Sequence, residues 1–102
     1  MINQGFLKTL NVLYVEDCTT IRNQFSSILN KLFNNVVVAK DGQEAIQLFK
    51  QTNKFEINIV ISDINMPNMT GIELLEIIRE IDDDIPFIIT TAYTEVDYLL
   101  HA

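Results

Sequence analysis

The chain has 102 residues, 48% of them hydrophobic, and a formal net charge of −7. That length allows one domain, and the apolar content excludes a disordered chain. The acidic surplus excludes a surface built to neutralise nucleic-acid phosphates, and a single cysteine excludes an internal disulfide framework. No apolar run approaches a membrane span, and residues 1–8 lack the basic-then-apolar pattern of a secretory leader. A soluble, cytoplasmic domain without a membrane partner is expected.

The first apolar run, Val12 to Val15, reads as a buried strand and ends at Glu16 and Asp17. Thr19 and Thr20 mark a helix start. Ile21, Phe25, Ile28, Leu29 and Leu32 recur on one helical face. Asn34 and Asn35 break the pattern, and Val36 to Ala39 makes a second short strand. Asp41 and Glu44 have capping-box spacing ahead of a second helix with Ala45, Leu48 and Phe49 as its buried stripe. A third strand runs through Ile57 to Ser62 and ends at Asp63. A third helix follows Gly71 with Leu74, Leu75 and Ile78 on one side, and Asp82 to Asp84 closes it as a solvated turn. Pro86 opens a fourth strand, Phe87 to Thr91, and a last helix begins near Glu95 with Val96, Leu99 and Leu100 apolar. Such βα alternation with near-continuous apolar strands predicts a parallel sheet covered by helices on both faces.

Carboxylates stand at two strand ends: Glu16 and Asp17 after the first, Asp63 after the third. In open α/β folds the carboxyl ends of strands face the ligand crevice. Three acids meeting there repel one another unless a cation intervenes, which is the layout of a divalent-cation site.

With these acids go the run Asp63-Ile-Asn-Met-Pro-Asn-Met-Thr-Gly71 and the run from Pro86 through Thr91 to Ala92. Together, in this order, they make the chain resemble the receiver domain of a two-component response regulator over almost its whole length. The resemblance implies a flavodoxin-like doubly wound sheet of order 2-1-3-4, in which the first and third strands meet at the switch point. It implies that Asp63 accepts a phosphoryl group from a sensor histidine kinase or phosphotransfer protein. Mg²⁺ or Mn²⁺ is then expected on Asp17, Asp63 and the backbone carbonyl of Asn65, with Glu16 acting through water. Thr91 is expected to hydrogen-bond the phosphoryl group and act as the switch residue, and Tyr93 and Asn65 to tune hydrolysis of the acyl phosphate. Such a chain is a signalling module, not an enzyme; at most it catalyses its own phosphorylation and dephosphorylation. The family's lysine-proline pair, fifth strand and fifth helix have no counterpart before Ala102. The expectation is therefore one receiver domain, residues 1–102, that is C-terminally incomplete and belongs to a parent carrying or lacking a C-terminal effector. Self-association through the uncovered fourth strand or the last helix is expected of it.

Two other functions compete. A Mg²⁺-dependent aspartyl phosphatase of haloacid dehalogenase type needs a second aspartate two residues on as general acid, where this chain has Asn65. A docking module without phosphorylation is disfavoured by the intact acids and Thr91. The remaining candidates read as ordinary residues: Cys18 as a free thiol beside acids, Thr90 as a strand residue facing away from Thr91, and His101 as a surface histidine.

Overall fold

The computed structural model describes residues 4–51 and 56–90. The elements in chain order are α1 (Gln4–Leu7), β1 (Asn11–Val15), α2 (Thr19–Leu32), β2 (Asn35–Ala39), α3 (Gly42–Gln51), β3 (Ile59–Asp63), α4 (Gly71–Ile81) and β4 (Phe87–Thr90). The four strands form one parallel sheet in the order β2-β1-β3-β4. Thr91, Tyr93, His101 and the expected last helix lie outside the described residues.

Side chains alternate across the strands, so β1, β2 and β3 each feed two cores. On one face Leu13, Val15, Ala39 and Val60 are buried with Ala45 of α3 and Leu74 and Ile78 of α4. On the other, Val12 and Tyr14 are buried with Phe33, and Leu29 and Leu32 of α2 pack beside them. This two-sided burial explains why the strands read as continuous apolar runs and not as alternating ones.

The strands are joined at their amino ends by a buried asparagine. Asn11 donates its backbone N–H to Asn58 Oδ1 (2.8 Å) and its Nδ2 to the Glu56 carbonyl (2.8 Å). Its Oδ1 accepts from Nδ2 of both Asn34 (3.1 Å) and Asn35 (3.0 Å). The helical pattern does end before Asn34, and β2 begins one residue earlier than expected, at Asn35 opposite Asn11.

Two further details go beyond what the sequence pattern shows. Asp41 Oδ1 accepts from the Glu44 N–H (2.8 Å), as a cap should. Glu44, however, reaches past Asp41 to accept from the Lys40 N–H (2.8 Å). On α2 the apolar stripe is incompletely covered: among the described residues none of this helix is buried, and Phe25 and Ile28 are 49% and 51% exposed. Ile21, Phe25 and Leu29 instead line an apolar groove of about 270 Å³ with Tyr14, Ile61 and Ile88. A helical repeat shows which residues share a face, but not whether another element lies over them.

Candidate metal centre

The site stands where β1 and β3 end. They pair in parallel from Val12 opposite Ile59 to Val15 opposite Ser62, so the next residues, Glu16 and Asp63, are carried out side by side. Glu16 is 2% exposed and Asp63 5%. Asp17, in the loop before α2, is exposed. One carboxylate oxygen from each of the three lies within 4.8 Å of the other two. The structure therefore brings together the three acids picked from the sequence. Asn65 is exposed in the loop after Asp63.

Burial and crowding both show in the proton affinity of Glu16. Burial pushes the Glu16 carboxyl up to about 7, against the Cys18 N–H, which donates to it at 3.1 Å and favours the charged form. The charge of Asp63, and the hydrogen bond and charge of Asp17, raise it further. Tyr14, one turn of the pleat below, is pushed up to about 12, first by burial and then by Glu16 and Asp63, while Arg22 opposes the shift.

The loop from Ile64 to Thr70 is shaped to frame Asp63. Ile64 N–H donates to the Thr90 carbonyl (2.9 Å), and Gly71 N–H returns to the Ile64 carbonyl (2.9 Å). Met66 is buried in the core and anchors the middle of the loop. A three-residue turn closes from Met69 N–H to the Pro67 carbonyl (2.8 Å), with Asn68 at φ 70°. Asparagine tolerates that left-handed conformation better than most side chains. Gly71 has no such freedom to give up: a Cβ there would stand 2.5 Å from the Asp63 carbonyl oxygen. The glycine that closes the sequence run is therefore required by close approach to the backbone of the central acid.

One participant was not visible in the sequence. Arg22, in the first turn of α2, donates Nη1 to the carbonyls of Glu16 (2.9 Å) and Asp17 (3.3 Å) and Nη2 to Thr19 Oγ1 (3.4 Å). The available clue was a cation at a helix N-terminus, where the helix dipole disfavours positive charge.

The donors are three hard oxygens, and burial first, then the neighbouring acids, raise the proton affinity of Glu16. This set suits an oxygen-coordinating divalent cation, whose charge would relieve the repulsion between the acids.

Fold and site together define a doubly wound α/β protein with an acidic crevice at its topological switch point. The model of the response regulator receiver domain matches residues 12–102. Chemotaxis protein CheY-3 of Vibrio cholerae is 34% identical over 98 residues, covering 93% of this chain and 73% of that protein. Two-component response regulator ARR12 of Arabidopsis thaliana is 32% identical over 91 residues, 89% of this chain but only 15% of that protein. Among solved structures, chemotaxis protein CheY4 of Vibrio cholerae aligns with a TM-score of 0.75 at 30% identity, over 90% of this chain and 76% of that one. Response regulator TrrA of Thermotoga maritima, solved in complex with Mg²⁺-BeF, aligns with a TM-score of 0.75 at 31% identity, over 84% and 72%. The chain belongs to the receiver domain family of two-component response regulators. Among the described residues, no helix is long and apolar enough to cross a membrane.

Proposed function

We propose that the chain is a phosphoryl-accepting switch that takes a phosphoryl group onto Asp63 from a phosphohistidine of a sensor kinase or phosphotransfer protein. The observation that carries this is the convergence of Glu16, Asp17 and Asp63 within 4.8 Å at the carboxyl end of the sheet. Asp17 and Asp63 would hold Mg²⁺ or Mn²⁺ directly, with the Asn65 carbonyl, and Glu16 would act through water. A bound cation supplies charge neutralisation for the transferring phosphoryl oxygens. The chain's own part is to hold the Asp63 carboxylate oxygen in line with phosphorus, so that its P–O bond forms as the donor's P–N bond breaks. The Ile64–Thr70 loop fixes the backbone of that nucleophile from behind. Thr91 would then donate its hydroxyl to the phosphoryl group, and Tyr93 and Asn65 would flank the line of water attack. In a longer parent, a C-terminal effector would read the change. Self-association is proposed through β4, where Ile88 is 47% exposed.

The test is Mg²⁺-dependent transfer from a small acyl-phosphate donor, with the labelled residue mapped. Hydroxylamine-labile label on Asp63 that disappears in Asp63→Asn supports the proposal. Label on another acid, or transfer indifferent to Mg²⁺, refutes it.

A further inference from the structure

The loop that carries Asp17 is short, exposed and poorly capped. Cys18, the residue before α2, makes no side-chain cap bond to the helix. What holds the loop is a pair of clamps on Glu16 and Asp17. The Glu16 carboxylate accepts the Cys18 N–H, and the Arg22 guanidinium takes the carbonyls of Glu16 and Asp17 on one nitrogen while its other nitrogen rests on Thr19. Glu16 is thus fixed at both its backbone and its side chain. Asp17 is fixed at its backbone, and its carboxylate points into the acid cluster. Among the described residues the arginine is what bonds the Asp17 carbonyl, and without it the exposed Asp17 carboxylate would keep only its hydrogen bond with Glu16 against the repulsion of Asp63.

We infer that Arg22 is a positioning residue for the metal centre: by gripping the carbonyls of Glu16 and Asp17 it holds the loop so that the Asp17 carboxylate meets Asp63. The inference rests on the proposed cation site. A purely structural arginine is available for comparison in the same molecule. Arg79, near the end of α4, donates to the carbonyls of Ile85 and Asp82, ahead of β4 and so at the opposite end of the sheet from the acids. Both arginines bridge a helix to backbone carbonyls; only Arg22 does so at the site.

The experiment is a Mg²⁺ titration of the full chain, followed by amide NMR shifts, on wild type, Arg22→Lys, Arg79→Lys, Arg22→Gln and Asp63→Asn, with urea unfolding of each. Lysine keeps the charge but not the planar fork, so it separates geometry from Coulomb attraction. Arg22→Lys is expected to weaken Mg²⁺ binding about tenfold, as losing a ligand-orienting partner commonly does. Arg79→Lys is expected to lower stability without changing Mg²⁺ affinity. Arg22→Gln guards against a lysine variant that does not fold: charge removal alone would tighten cation binding, so weaker binding there reports lost geometry. Wild-type affinity in Arg22→Lys, equal losses in the two lysine variants, or tighter binding in Arg22→Gln overturns the inference. A wild type that binds no Mg²⁺, or an Asp63→Asn variant that binds it undiminished, overturns the cation site and this inference with it.

Discussion

Glu16 is a buried acid beside other acids, and burial above all raises its proton affinity. Its carboxyl stands at about 7 in the folded chain against an ordinary 4.5. Below the lower value both states hold the proton, and the stability this group supplies is fully present. Between the two values only the folded state holds it, so stability falls as pH rises and is lost by the time pH passes the upper value. Metal-free protein is expected to unfold at lower urea above pH 7 than near pH 4.5, and Glu16→Gln to flatten that difference. A wild-type and variant profile of the same slope would show that other groups set the pH dependence. Gly71 makes the second argument at this scale. Gly71→Ala forces a methyl against the Asp63 carbonyl oxygen and is expected to cost about 1–3 kcal/mol, read by urea unfolding, with a weakened Mg²⁺ response. The acids and the glycine were legible because they stand in short runs beside strand ends. Arg22 was not, because its role depends on a guanidinium folding back onto carbonyls, which no spacing of residue types displays.

At the scale of elements, the β3–α4 connection is held by both backbone and side-chain bonds. Thr70 caps α4 by accepting the Glu73 N–H (3.1 Å), and Glu73 accepts the Thr70 N–H (3.0 Å), a reciprocal box that leaves two helix-end donors satisfied. Thr70→Ala is expected to cost about 1 kcal/mol by chemical denaturation. An unaltered midpoint would mean that core packing of Leu74 and Ile78 alone holds the helix. This box has the same sequence spacing as Asp41 and Glu44, where one arm of the box lands a residue early on Lys40. Spacing identifies candidates for a cap, while the path of the incoming chain decides which N–H the second side chain meets. Helices α2, α3 and α4 were legible from period, α1 was not, and the strand order came from the resemblance to receiver domains. The partial exposure of α2 was not legible, since amphipathicity is a property of one helix and burial a property of two surfaces.

Across the whole molecule, the two-faced sheet ties stability and chemistry to opposite ends. The apolar contacts fill both faces, whereas the polar groups gather at the strand termini: asparagines at the amino ends, carboxylates at the carboxyl ends. Asn11→Ala removes a buried side chain that serves several partners, and leaving them unmatched is expected to cost about 1–3 kcal/mol by urea unfolding. A variant as stable as the wild type would show that water replaces the amide.

The asparagine cluster also acts as a common origin for measuring length. Asn11 and Asn58 are bonded to each other, and the same number of residues separates Asn11 from Glu16 as separates Asn58 from Asp63. Two parallel arms of equal length, set off from one baseline, must finish level, and their last side chains must share a phase. The crevice is thus gauged from the far edge of the sheet. Adding one residue to either arm would make the tips uneven and swing one acid to the other face, even if every apolar residue found a place.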